Sequence, residues 1–255
     1  MKILDLCDVT MKFGGLTAVN NLNMYLNKGE IIGLIGPNGA GKTTVFNMIT
    51  GVYTPTSGNI CFGDFNESII NKKPSDIANL GIARTFQNIR LFKDLSVIDN
   101  VFIGGHLNVK SNIISSVFRT KKYKEEEKKL YDKSIKLLEE VGLKDLMYEK
   151  ASSLSYGKQR RLEIARALNT NPEILLLDEP AAGMNPKESL ELMDFIGSIR
   201  DKFNITILMI EHHMQVVMGI CERIYVLDYG EKIAQGIPSE IQNNEKVIEA
   251  YLGVG

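Results

Sequence analysis

Apolar and polar residues alternate through residues 1–28, where Ile3, Leu4, Leu6 and Val9 are followed, across Gly14-Gly15, by Leu22, Met24 and Leu26. A period of two broken by a glycine pair predicts two antiparallel strands. The pattern then changes: Ile31-Ile32-Gly33-Leu34-Ile35 is a short unbroken apolar run, as expected of a strand buried on both faces. Two more such runs, Ile174–Leu177 and Ile205–Ile210, each follow a stretch of helical spacing. Strand and helix therefore alternate, which predicts a parallel sheet of α/β type. A helix beginning near Lys42 continues through Val45–Thr50 and stops at Gly51, and Pro55-Thr56-Ser57-Gly58 reads as a turn.

The segment between Pro74 and Pro172 contains no proline, which suits a mostly helical insertion. Within it Leu130, Tyr131, Ile135, Leu138 and Val141 recur at helical spacing and the pattern closes on Gly142. The run Lys121-Lys122-Tyr123-Lys124-Glu125-Glu126-Glu127-Lys128-Lys129 is nearly balanced in charge. It reads as a solvated helix face rather than a nucleic-acid site.

Composition narrows the class. A chain of 255 residues with 44% hydrophobic positions can bury a full core as one large domain or a domain with an insertion. Its net charge of −1 gives no overall attraction for nucleic acid or an anionic membrane. Cys7, Cys61 and Cys221 are far apart and form no Cys-x-x-Cys pair, so reduced thiols are expected rather than a disulfide framework or zinc site. Asp5 and Asp8 interrupt any signal-peptide core, and no apolar run exceeds strand length. The expected location is the cytosol, with membrane association only through a partner.

The chemistry begins at Gly36-Pro37-Asn38-Gly39-Ala40-Gly41-Lys42-Thr43, with Thr44 following, between an apolar strand and a helix. Glycines let this loop aim its N–H groups at phosphates, and the helix adds the positive end of its dipole. Lys42 is placed to reach the β- and γ-phosphates of a nucleotide, and the Thr43 hydroxyl to ligate Mg²⁺. A second element, Ile174-Leu175-Leu176-Leu177-Asp178-Glu179-Pro180, is an apolar strand ending in two acids. Asp178 would hold the metal through its coordination shell, and Glu179 would accept a proton from the attacking water.

Upstream lies Leu154-Ser155-Tyr156-Gly157-Lys158-Gln159-Arg160-Arg161-Leu162. Ser155 is an N-cap candidate, Gly157 lets backbone approach a ligand, and Leu162, Ile164, Ala165 and Leu168 form an apolar stripe. Here the chain resembles the ATP-binding cassette family, whose signature has the form Leu-Ser-Gly-Gly-Gln. Tyr156 stands in place of the first glycine of that motif and Lys158 in place of its glutamine. The resemblance implies a P-loop NTPase fold: an α/β core with a mainly parallel sheet, an N-terminal antiparallel β-subdomain and an inserted α-helical subdomain. Residues 1–87 and 170–255 would form the core, and 88–169 the insertion carrying the signature.

The same resemblance implies further roles. Gln87 would touch Mg²⁺ or the attacking water and link the site to the insertion, His212 would contact the γ-phosphate, and Phe13 would stack on adenine. Two subunits would meet head to tail, with ATP between one phosphate loop and the Ser155–Gly157 signature of the other. Asn185 stands where many cassettes carry Asp, and His213 where Asp commonly follows the switch histidine.

Over its whole length the chain is similar to the ATP-binding subunits of branched-chain amino acid importers. The likeness lies in residues 84–92, 155–166 and 178–186, and in the ending Ala250-Tyr251-Leu252-Gly253. It implies ATP and Mg²⁺ as cofactors, a second cassette subunit, integral membrane permease subunits and, indirectly, a solute-binding protein as partners. If exposed, the pair Leu91-Phe92 would suit a permease helix; it could equally belong to the insertion's own core. Alternatives are a related urea or amide importer, a lipopolysaccharide exporter, or a soluble cassette ATPase. The last is disfavoured by the single cassette and by the lack of sustained heptads between Thr44 and Leu154.

Overall fold

The computed structural model describes residues 1–108 and 120–252. Residue 253, at the end of the Ala250–Gly253 likeness, and residues 109–119 of the insertion lie outside that description. The chain divides into two compact units, one of residues 1–87 and 173–255, the other of residues 88–172.

The first unit contains both sheets found among the described residues. Strands β1 (Lys2–Phe13) and β2 (Leu16–Asn27) pair antiparallel across Gly14-Gly15, as their alternation predicts. With β4 (Ser57–Phe62) and β5 (Glu67–Ser68) they form a sheet of order β2-β1-β4-β5. Their inward residues Leu4, Leu6, Val9, Leu22, Met24 and Leu26 are all buried. The expected turn at Pro55–Gly58 is displaced: Ser57 and Gly58 already belong to β4, and the chain turns instead at Gly51–Tyr53. The Val52 and Tyr53 amides both bond back to the Asn47 carbonyl there. Satisfying the C-terminal carbonyls of the preceding helix draws the turn forward.

The other sheet has the order β10-β9-β3-β8-β7-β6, from β3 (Ile31–Ile35), β6 (Ile82–Arg84), β7 (Ile174–Asp178), β8 (Thr206–Ile210), β9 (Arg223–Asp228) and β10 (Glu231–Gly236). Pairing is parallel from β9 to β6, and only β10 runs antiparallel, as a hairpin with β9. Every residue of β3, β7 and β8 is buried, which is why these strands read as unbroken apolar runs. In such a sheet the carboxyl ends of the strands line one edge, and chemistry collects there. Here the phosphate loop follows β3, Asp178 ends β7, and Glu211 follows β8.

This unit also holds the helices α1 (Lys42–Ile49) and α2 (Pro74–Leu80). The second unit is helical. It holds α3 (Val97–Gly104), α4 (Lys121–Glu140) and α5 (Tyr156–Leu168). The Asn169 amide donates to the Val101 carbonyl at 2.8 Å and to the Ser134 hydroxyl at 3.0 Å, so one buried side chain after α5 ties that helix to α3 and α4. Along α4 the charged stretch is mostly exposed, whereas Leu130, Leu137 and Leu138 are buried. Tyr131 and Ile135 are only half-buried.

In α5, Leu162, Ile164, Ala165 and Leu168 are buried as expected, but so are Arg160 and Glu163, paired at 2.7 Å. Glu163 also accepts from the Arg90 amide at 3.1 Å, which pins the segment after Gln87 to this helix. Ser155 occupies the N-cap position with extended backbone, yet its side chain makes no capping bond, contrary to expectation. It is exposed, and water can satisfy the free amides of a helix end that faces solvent.

The remaining helices, α6 (Pro186–Phe203), α7 (Met214–Ile220), α8 (Pro238–Gln242) and α9 (Glu245–Leu252), belong to the first unit. Asn185 starts α6 in a reciprocal capping box with Glu188, both bonds 3.0 Å long. Among the described residues no helix is long and apolar enough to cross a membrane.

Candidate active site

The phosphate loop is wedged between two other pieces of backbone. A side chain at Gly36 would run into the Leu227 carbonyl of β9, and one at Gly41 would meet the Ala18 carbonyl of β2. Both residues also hold positive φ, +148° and +100°, so glycine is required twice over. The Gly230 amide, in the β9–β10 turn, donates to the Ala40 carbonyl at 3.1 Å and closes the bracket.

Lys42 begins α1 and is 6% exposed. Its ammonium donates to the Gly36 and Pro37 carbonyls, each at 2.7 Å. Burial pushes its pKa below the usual lysine value, while the negative charges of Glu179 and Asp178 act in the opposite direction. Thr43 and Thr44 follow on the first turn, with Thr43 exposed.

At the end of β7 the two acids face different partners. Asp178 accepts from the Arg84 guanidinium at 2.7 Å. Glu179 takes a left-handed backbone, φ +46°, which turns its carboxylate out of the sheet. Such a conformation is uncommon for a residue other than glycine and tends to occur at functional sites. One oxygen of Glu179 accepts from the Gln87 amide at 2.7 Å, and the other lies 2.6 Å from Nε2 of His212.

The two adjacent histidines therefore separate clearly. His212 reaches Glu179, whereas His213 sits at the N-cap of α7 with Nδ1 3.3 Å from Glu211. Glu211 is itself buried and accepts from the Ala181 amide at 2.8 Å and the His212 amide at 3.0 Å. It ties the end of β8 to the turn after β7. Neither Arg84 nor Glu211 stood out in the sequence, because an acid or base beside an apolar strand reads as a solvated end.

A cavity of about 420 Å³ brings together Phe13, Leu16, Asn38, Gly39, Ala40, Gly41, Lys42, Thr43, Thr44, Glu179, His212 and Tyr229, with Thr17 and Ala18 completing its wall. Phe13 is partly exposed and stands edge-on to Tyr53, with ring centroids 5.2 Å apart. Pro37 lies instead on a neighbouring cavity of about 450 Å³, shared with Asn38–Ala40, Tyr229 and residues Lys246, Glu249 and Ala250 of α9. Gly36 is buried beneath the loop. Gln87 and Asp178 do not line the first cavity: Gln87 bonds to Glu179, which does, and Asp178 bonds to Arg84, which does not. Ser155 and Gly157 belong to the second unit, where both stand at the start of α5. Among the described residues no cluster of His, Cys, Asp and Glu could hold a metal by itself.

Residues 19–182, which hold the loop, the acid pair and the signature, match the model of the ABC transporter family. The chain belongs to that family. It is an ATPase of the ATP-binding cassette type, and the cassette's last segment, residues 231–255, matches a second model described as branched-chain amino acid ATP-binding cassette transporter. That segment includes β10 and α9, so it lies beside the phosphate loop. The cassette is 48% identical to the high-affinity branched-chain amino acid transport ATP-binding protein LivG of Escherichia coli (strain K12), over 98% of each chain. It is 44% identical to BraF of Pseudomonas aeruginosa, which carries the same description, again over 98% of each. A crystal structure of an ATP-binding cassette of an ABC transporter in its ADP conformation superposes with a TM-score of 0.86, at 34% identity over 99% of each chain. The cassette is thus a nucleotide-binding protein of the branched-chain amino acid transport type.

Proposed function

We propose that this cassette binds ATP with Mg²⁺ and hydrolyses it to power import of branched-chain amino acids, paired with a second cassette beneath membrane permease subunits. The observation that carries the hydrolytic part is the placement of Glu179. Its carboxylate, turned out of β7 and held between Gln87 and His212, lines the same cavity as Lys42 and Thr43. A carboxylate so held can take a proton from water aimed at a γ-phosphate seated on the loop.

Backbone amides of Gly39–Thr44 cradle the phosphates and the Lys42 ammonium balances their charge. Phe13 would offer a ring to the adenine, and His212, bonded to Glu179 on the same cavity, would contact the γ-phosphate. The donors available to the metal are hard oxygens, the Thr43 hydroxyl and the Asp178 carboxylate, with the Gln87 amide close by through Glu179. This set fits Mg²⁺, which prefers oxygen and few protein ligands. When bound, the ion would neutralise charge on the β- and γ-phosphates. Ser155 and Gly157, exposed and half-buried at the start of α5, are free to meet the nucleotide of a partner cassette.

The transported solute is supported by the C-terminal match and by the full-length relatives named above. Loss of the cassette from its host is expected to abolish uptake of labelled leucine, with the E179Q form failing to restore it. Uptake that persists without the cassette would remove the assignment. The histidines offer a second check: His212→Ala should lower ATP turnover by about 10²-fold and His213→Ala should leave most of it. Equal losses from both would show that the Glu179 contact does not distinguish them.

A further inference from the structure

Arg84 is the last residue of β6 and is unused by the chemistry above. Its guanidinium spans two elements: one nitrogen donates to Asp178 at 2.7 Å and another to Asn47 on α1, also at 2.7 Å. The guanidinium also lies over the Phe46 and Phe86 rings, with centroids 5.3 Å and 5.2 Å from its central carbon. The Arg84 and Asp178 side chains are each only 8% exposed. Stability is a poor reason for this arrangement. A buried ion pair roughly breaks even against hydrocarbon, and here Nε of Arg84 is left buried without a hydrogen-bond partner.

Position explains it better. Asn47 and Thr43 are four residues apart on α1, so they share one face of the helix, a turn apart. Arg84 therefore braces the Asp178 carboxylate against the same helical face that carries the Thr43 hydroxyl. It engages Oδ2 of Asp178 and leaves Oδ1 outside the ion pair. Mg²⁺ tolerates little departure from octahedral geometry, with ligand distances of about 2.0–2.1 Å. A brace that sets the spacing of two oxygen donors thus acts directly on how well the ion is held.

We propose that Arg84 is a positioning residue that fixes Asp178 relative to Thr43, and so sets the affinity of the ATP-bound cassette for Mg²⁺. This rests on the assignment of Thr43 and Asp178 as metal donors. The same short segment also carries Gln87, which holds Glu179, so residues 84–87 grip Asp178, at the end of β7, and the acid that follows it.

The test is binding, read separately from turnover. Mg²⁺ is titrated against the purified full-length cassette with a fluorescent ATP analogue, in the parent, Arg84→Ala, Arg84→Lys, Asn47→Ala and Asp178→Asn. Arg84→Ala should raise the half-saturating Mg²⁺ about tenfold or more, the usual cost of losing a residue that orients a metal ligand. Affinity for the analogue in EDTA should stay within about twofold of the parent, since the phosphate loop is untouched. Asn47→Ala should shift the Mg²⁺ midpoint in the same direction by less, and Arg84→Lys should recover part of the loss through a single contact to Asp178. An unchanged or lowered midpoint in folded Arg84→Ala, alongside a raised one in Asp178→Asn, would overturn the proposal alone. No shift in Asp178→Asn would overturn the metal assignment and the proposal with it. Should Arg84→Ala fail to fold, an unchanged midpoint in Asn47→Ala overturns the brace.

Discussion

Glu179→Gln is expected to cut ATP turnover by about 10²–10⁴-fold while leaving ATP binding intact, the range typical of losing a positioned general base. The substitution keeps the size of the side chain and an oxygen for the Gln87 amide to donate to, so the geometry around residue 179 changes little. What it removes is the ability to take a proton, and with it a negative charge 2.6 Å from His212. Because the change falls after nucleotide binding, the variant should accumulate with ATP in its closed, paired form. Size-exclusion chromatography with and without ATP would show that species as a dimer, and steady-state phosphate release would give the turnover. Normal hydrolysis by the variant would remove Glu179 as the base.

Lys42→Ala should act one step earlier, weakening ATP binding itself by roughly 10–10²-fold, the worth of a charge-assisted hydrogen bond or two in a sheltered site. The effect has two sources. The phosphates lose a cation that is only 6% exposed, and the Gly36 and Pro37 carbonyls lose the donor that holds them at 2.7 Å. Lys42→Arg distinguishes these, since it restores charge but places a planar fork where a compact ammonium fits between two carbonyls. If charge alone matters, Arg should rescue affinity; if the loop's shape matters, it should not. Titration calorimetry with ATP measures both variants, and affinity equal to the parent in Lys42→Ala would count against any phosphate role.

How far the site could be read in advance depended on how local each feature is. The hairpin, the strand before the loop and α1 follow from residues within one turn or one strand of each other, where periodicity and glycine placement are decisive. The acid pair was equally plain, because an apolar run ending in Asp178-Glu179 carries its own signal. Arg84 was invisible for the opposite reason: its partners Asn47 and Asp178 lie 37 and 94 residues away. Nothing in Arg84-Thr85-Phe86-Gln87 announces a brace until the sheet brings β6 beside β7. Glu211 hid behind the same difficulty, since a carboxylate after a strand is ordinarily wet and this one is buried under the Ala181 amide. The displaced turn after α1 and the uncapped Ser155 show the reverse error. Both followed residue preference, and in both cases available backbone bonds or solvent decided the outcome.

The bracket around the phosphate loop bears on where the energy of nucleotide binding goes. The Leu227 carbonyl leaves no room for a side chain at Gly36, nor that of Ala18 at Gly41, and the Gly230 amide bonds to Ala40. A loop gripped on both flanks has little freedom left to lose when an anion arrives, so ordering it costs almost nothing. Very little of the binding free energy is then spent shaping the cradle. The surplus remains to drive larger rearrangements, and a machine that converts ligand binding into movement works best when its first grip is the part that does not move.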